Sequence, residues 1–216
     1  MGITERRERE KEQRRNDIIN AAENVFFSKG INLATMDEVA EQAELSKGTL
    51  YLYFKSKEEL YLAITQRALS LLANMFEEAI EQFVSGIDQI RAIGEAYYRY
   101  SQIHTNYFNT ILHYEVSQLE MDNMGDTLTE CHRLGQKVML LVASAIEIGI
   151  KDGTIRSDLD PIKTAYLLQG QSSGIIQLVA REAQHIKTME NFEPQELMSD
   201  FMNMMYHALK SDNSND

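Results

Sequence analysis

The sequence predicts an all-α protein, built as a small three-helix N-terminal unit followed by a larger C-terminal helical bundle. Three observations carry this. Only two prolines and eleven glycines occur in 216 residues, while the plentiful Ala, Leu, Met, Glu and Gln lose little rotamer freedom in a helix. Apolar residues recur at three- and four-residue spacing over most of the length. Helix start and stop signals punctuate the chain at intervals that suit helices and short turns.

The elements follow in order. Residues 4–15 form a charge run without an apolar side chain, which reads as a solvated arm, with Arg14 or Arg15 placed to touch an anion from the start of the first helix. Ile18, Ala21, Ala22, Val25 and Phe26 mark one face of a helix over 14–28, stopped by Gly30. Thr35-Met36-Asp37-Glu38 has the spacing of a capping box and opens a short second helix to about Gln42. Ala43-Glu44-Leu45 makes a turn, and Ser46 caps a third helix carrying Lys47-Gly48-Thr49-Leu50-Tyr51-Leu52-Tyr53. A second capping box, Ser56-Lys57-Glu58-Glu59, opens a long helix to about Glu81. Further helices are predicted over 88–104, 106–119, 124–151, 161–186 and 194–210. Asp152-Gly153 stops one of them, and Pro161 and Pro194 start two others, since proline suits the first helical position. The domain division predicted is 1–57 for the arm and three-helix unit, 58–210 for the bundle, and 211–216 for a disordered polar tail.

Composition excludes several classes. The single cysteine, Cys131, rules out an internal disulfide and fits a reducing compartment, with the thiol acting as a small core hydrophobe. No targeting stretch follows the charged start, and the longest apolar run, 138–150, is too short for a bilayer and contains Glu147. A cytoplasmic protein is expected. No Ser/His/Asp set, phosphate-binding glycine loop or zinc motif appears, so no enzyme is expected. His104, His113, Cys131 and His132 lack metal-ligand spacing, so neither a metal nor a cofactor is predicted.

The net charge of −12 is unevenly spread: residues 1–60 hold 10 Lys/Arg against 12 Asp/Glu, and the remainder 11 against 21. Within 47–57, Lys47, Lys55 and Lys57 occur without an acid. Local charge decides where a phosphate backbone docks. Val39, Ala40, Leu45, Leu50 and Phe54 would pack on Ile18, Ala22, Val25 and Phe26, which leaves Ser46, Lys47, Thr49, Tyr51 and Tyr53 outward. Hydroxyls and lysine at a helix start suit phosphates and base edges. Gly48 lets the helix approach a groove closely, and Thr35 and Lys57 flank it. The two tyrosines, spaced by two, fit a half-buried core role as well.

The stretches Thr35-Met36-Asp37-Glu38-Val39-Ala40, Leu45-Ser46-Lys47-Gly48-Thr49-Leu50-Tyr51 and Tyr53-Phe54-Lys55-Ser56-Lys57-Glu58-Glu59-Leu60 resemble the signature of the tetracycline-repressor (TetR) family, over residues 14–60. The resemblance implies an all-helical homodimer with a helix-turn-helix that binds double-stranded DNA at a palindromic operator. It implies a larger domain for dimerisation and for a small effector, and in most members repression relieved by that effector. Carried over by position, the DNA contacts are Thr35, Ser46, Lys47, Gly48, Thr49, Tyr51, Tyr53 and Lys57. Glu44 departs from the glycine of many relatives, and an adjusted turn is expected there.

The larger domain concentrates aromatic, histidine and sulfur side chains, with Met121 and Met124 among them. An apolar pocket with a few polar handles is expected from Tyr97, Tyr100, His104, Tyr107, Phe108, His113, Tyr114, Met139 and Gln169, holding a hydrophobic or aromatic molecule. Small and polar residues at 169–174 let helices approach closely. The stripe Leu197, Phe201, Met204, Met205, with Ser173, would form a four-helix dimer face. Gln169 or Ser172 reaching into the pocket instead is an equal alternative. A helical ligand-binding module without sequence-specific DNA binding is the alternative function.

Overall fold

A computed structural model describes residues 2–116, 125–190 and 192–211. Nine α-helices occur among them: α1 Ile3–Lys29, α2 Met36–Gln42, α3 Lys47–Tyr53, α4 Lys57–Ile80, α5 Gly86–Ile103, α6 Thr105–Val116, α7 Gly125–Asp152, α8 Pro161–His185 and α9 Pro194–Leu209. A π-helical stretch, Ile186–Glu190, follows α8. No strand occurs among the described residues; Ile155 and Lys210 form one isolated antiparallel bridge.

Boundaries fall within two residues of expectation except in α1 and α6. The predicted end of α6, with Met121 and Met124, lies outside the described residues, as does the tail after Ser211. The expected N-terminal arm is helix from Ile3 onward. Glu, Arg, Lys and Gln are good helix formers, nothing in the run breaks the ladder, and Arg6 Nε donates to Glu10 at 2.7 Å one turn on. The arm is nonetheless solvated, since residues 4–14 are all exposed.

The chain divides into two compact units, residues 1–69 with 106–132, and 70–105 with 133–216. In the first, Ile18, Ala22, Val25 and Phe26 of α1 bury Val39 and Ala40 of α2, Leu50 and Phe54 around α3, and Leu60 and Ile64 of α4. Leu45 is half-buried against this core. A seven-residue helix is unstable alone in water, so this shared core holds α2 and α3 in place. In the second unit Phe76, Ile93, Ala96, Tyr100, Ile146 and Ile176 are buried. There α5 starts against α7: a Cβ on Gly86 would lie 2.0 Å from the Gly149 amide nitrogen. The Asp152 carboxylate accepts the Gly86 amide at 2.8 Å and the Thr154 amide at 2.9 Å, closing that corner.

The turn between α2 and α3 departs from expectation. Glu44 adopts φ 54°, in the left-handed region, instead of an adjusted turn. Leu45 N–H donates to Ala40 O at 2.9 Å and Glu44 N–H to Glu41 O at 3.0 Å. This pair of bonds is the Schellman helix end, and it requires the left-handed residue in between. The cap outweighs the steric cost of a Cβ there, about 1 kcal/mol.

Two substitutions probe this framework. Glu44→Gly relieves the left-handed Cβ and should stabilise the protein by roughly 0.5–1 kcal/mol in chemical denaturation; a loss of stability would show that the turn is unstrained. Gly86→Ala forces two backbones apart and should cost about 3 kcal/mol or more, and an unchanged unfolding midpoint would contradict the close approach.

Candidate nucleic-acid interface

The helix-turn-helix is assembled by short-range hydrogen bonds. Thr35 and Glu38 form the complete reciprocal capping box: Glu38 N–H donates to Thr35 Oγ1 at 3.3 Å, and Thr35 N–H to Glu38 Oε2 at 3.0 Å. Lys29 pairs with the same carboxylate. That ammonium, with the Thr35 amide behind it, holds the Glu38 carboxyl below the usual carboxylate range. Ser46 caps α3 by accepting Thr49 N–H at 3.2 Å, and its hydroxyl meets Thr49 Oγ1 at 2.9 Å.

The second capping box forms only in half. Ser56 Oγ accepts Glu59 N–H at 3.2 Å, but the Glu59 carboxylate takes the Lys55 amide at 2.6 Å instead of that of Ser56. This draws the α3–α4 connection tight. The Lys57 ammonium crosses to the loop before α2 and donates to Ala34 O at 3.2 Å and Asn32 O at 3.4 Å. Lys57 therefore ties the start of α4 to the entry of α2.

Around α3, Ser46, Lys47, Gly48 and Tyr51 are exposed, Thr49 is partly so, and Tyr53 is half-buried against the core. The two tyrosines thus divide the roles left open by their spacing. Leu52 is 76% exposed beside them. A Cβ on Gly48 would meet nothing nearer than Ser46 Oγ at 3.9 Å. Neither crowding nor backbone conformation within the chain demands glycine there, although glycine inside a helix costs about 1 kcal/mol against alanine. The acid-free window 47–57 is less bare in space: Lys47 Nζ reaches Asp37 Oδ2 at 2.5 Å. Arg15 lies over the Phe54 ring at 4.9 Å, and Arg14 is fully exposed.

Residues 18–64, which contain the helix-turn-helix and its capping hydrogen bonds, match the model of the family described as bacterial regulatory proteins, tetR family. The chain is 38% identical over 88 residues to the transcriptional activator FasR of Mycolicibacterium smegmatis, covering 41% of this chain and 40% of FasR. It is 29% identical over 153 residues to the repressor KstR2 of Rhodococcus jostii, covering 69% of this chain and 72% of KstR2. Over that segment the chain is similar to tetR family transcription regulators. The fold of the regulator is also that of FadR from Bacillus subtilis, solved with stearoyl-CoA, at TM-score 0.71 and 17% identity over 89% of this chain and 98% of that one. Its curated relatives are regulators, not enzymes. The alternative of a module without DNA binding is not favoured, because the matched segment is the reading head itself.

The side chains expected at a pocket fall in both units of the regulator. In the first, Phe108 is buried and Tyr107 donates its hydroxyl to Glu23 Oε1 at 2.8 Å. Tyr61 donates to Thr110 O at 2.8 Å, so His113 Nδ1, 2.9 Å from the same hydroxyl, must be the donor of that pair. The Tyr114 hydroxyl is buried and has no hydrogen-bond partner among the described residues; burial, with Cys131 beside it, pushes it up to about 12. In the second unit, Tyr97 stands edge-on to Phe76 at 6.1 Å and buried Tyr100 lies 5.6 Å from the His104 ring. Met139 and Gln169 are half-buried. Cys131 is fully buried, donates to Leu62 O at 3.4 Å, and is pushed up to about 12 by burial and then by Glu130. It is the core residue expected of it, protonated at neutral pH. No group of three or more metal-binding side chains occurs among the described residues, and no helix among them is long and apolar enough to cross a membrane.

Of the stripe expected at a dimer face, Met204 is 65% exposed, while Leu197, Phe201 and Met205 are half-buried in the single chain. Ser173 spends its hydroxyl on its own helix, at Gln169 O, 2.9 Å.

Sequence reading missed one cluster. Arg67 of α4 donates to Asn20 Oδ1 at 2.7 Å, Asn16 Oδ1 at 2.8 Å and Glu23 Oε1 at 3.1 Å on α1. Tyr107 of α6 meets the same Glu23 carboxylate; burial, and then that carboxylate, raise the phenol to about 12. The signal was a lone arginine inside the apolar run 60–76, a position that demands partners. For the reading face itself, Tyr51→Ala and Thr49→Ala should each weaken duplex binding at least about fivefold, as for loss of a single polar contact, while changing stability by less than about 0.5 kcal/mol. Unchanged affinity in both would remove α3 as the reading helix.

Proposed function

We propose that this regulator is a homodimeric, cytoplasmic repressor that grips a palindromic operator and releases it when an acyl-CoA thioester binds. Residues 1–57 read the duplex, and 58–210 take the effector and pair with the second copy. The observation that carries the DNA half is Gly48: an exposed, uncrowded glycine at the start of α3 is explained by a surface outside the chain approaching the helix backbone. Ser46, Lys47, Thr49 and Tyr51 then reach base edges and phosphates, with Thr35, Tyr53 and Lys57 at the margins. Two α3 helices about 34–36 Å apart would enter successive major grooves. The exposed apolar residues of α8 and α9, Tyr166, Leu167 and Met204, support pairing through that face, with Ser173, Leu197, Phe201 and Met205.

The effector class is supported by the stearoyl-CoA bound to FadR, a protein of the same fold, and by the aromatic and histidine side chains of α6 in the first unit. Repression is supported by the likeness to KstR2. Tyr114 supplies a polar handle: its buried hydroxyl is orphaned among the described residues, a state that costs about 1–3 kcal/mol and that a ligand acceptor would relieve. The route to the head is the Glu23 carboxylate, shared by Tyr107 of α6 and Arg67 of α4. An effector that displaces α6 pulls on α1 through that carboxylate, and it weakens DNA binding by as much as it prefers the displaced state.

The operator is found by selection from random duplexes with the purified full chain. Adding stearoyl-CoA should lower affinity for the selected duplex by about 5- to 150-fold, the usual span of allosteric coupling, while free coenzyme A should not. No selected palindrome would remove the DNA half, and equal affinity with and without thioester would remove the effector class. Tyr114→Phe should keep operator affinity, raise or preserve apo stability, and blunt release; full release in Tyr114→Phe would remove the handle.

A further inference from the structure

We infer that the first three turns of α1 are a second, sequence-independent duplex contact, made by the stripe Arg7, Lys11 and Arg14. It rests on the reading that the head binds DNA. Residues 4–14 of α1 are exposed, so this stretch buries no core. Residues 3–15 carry six cations against four carboxylates in a chain of net charge −12. The charges are sorted by face. Arg7, Lys11 and Arg14 stand at i, i+4 and i+7, whereas Glu5, Glu8 and Glu12 occupy another side at i, i+3 and i+7. The carboxylate nearest the basic stripe, Glu10, is taken by Arg6 at 2.7 Å, and Arg9 Nε turns to Glu5 O at 3.3 Å. Arg7, Lys11 and Arg14 have no ion pair among the described residues.

Register and spacing identify the partner. Continued along α1, the stripe runs into Ile18, Ala22 and Val25, the face that packs on the rest of the head. Arg15, next to its last member, lies over Phe54, the residue that ends α3. The cations are therefore continuous with the reading head. From Arg7 to Arg14 the helix rises roughly 10 Å, close to three phosphate-to-phosphate steps, or four successive phosphates, along one strand. A row of cations spanning that distance, with its nearest carboxylate already paired to Arg6, fits a phosphate backbone flanking the site read by α3 and carries no base preference.

The test measures binding of the full chain to a mixed-sequence duplex as salt is raised. The slope of log affinity against log salt should be shallower in Arg7→Gln/Lys11→Gln/Arg14→Gln by about 2 to 3 per protomer, at about 0.9 per phosphate lost. Glutamine preserves helix propensity, and circular dichroism checks it. Should the triple variant lose helix, the single variants each carry the expectation of about 0.9. The control Glu5→Gln/Glu8→Gln/Glu12→Gln should not become shallower. An unchanged slope in the basic-stripe variants, or an equal loss in the control, overturns the inference and leaves the head's DNA binding intact. Failure of the unaltered chain to bind any duplex overturns the reading on which it rests.

Discussion

A helix of two turns does not hold itself together in water, and the regulator's reading surface is two such helices. Everything offered to DNA depends on burying Leu50 and Phe54 around α3, and Val39 and Ala40 of α2, against α1 and the start of α4. The arrangement leaves little freedom. Four residues, Ala43 to Ser46, link α2 to α3, the Schellman bonds dictate their path, and Glu44 bears the left-handed conformation they require. Lys57 ties the other end by holding the carbonyls before α2. The outward side chains are thereby oriented by an interior they do not touch.

The same core carries a polar joint between the head and α6. The first part of α4 lies within the first unit, and α6 joins that unit as well. Glu23 is where three helices meet: the α1 carboxylate accepts from Arg67 of α4 and from Tyr107 of α6. Glu23 and Arg67 are both largely shielded, with side-chain exposures of 15% and 26%. Breaking one partner strands the others. The shared carboxylate thus links α6 to α1 directly, and this is the route the proposed release mechanism uses.

Legibility in the sequence followed the range of the interaction. The Thr35–Glu38 box was readable because both bonds join residues three apart. The Ser56 box was half readable: its hydroxyl behaves as spacing demands, but two neighbouring amides compete for the Glu59 carboxylate and backbone geometry chooses Lys55. The arm was misread because hydrophobic periodicity says nothing about a helix with no buried face. The pairing of Lys47 with Asp37 escaped a count over 47–57, since the acid lies ten residues away across the turn. The joint at Glu23 was invisible for the same reason at longer range, as its partners lie 44 and 84 residues off.

The Lys47–Asp37 pair has a consequence for selectivity. On the proposed reading of α3, Lys47 would gain little from an arbitrary stretch of DNA, because meeting a phosphate would mean giving up the Asp37 carboxylate first. The exchange becomes worthwhile only where neighbouring groups on α3 find matching base edges at the same time. On that reading a weak, exposed ion pair would work as a threshold of at most about 1 kcal/mol, dulling affinity for the great excess of wrong sites and leaving the right one distinguishable.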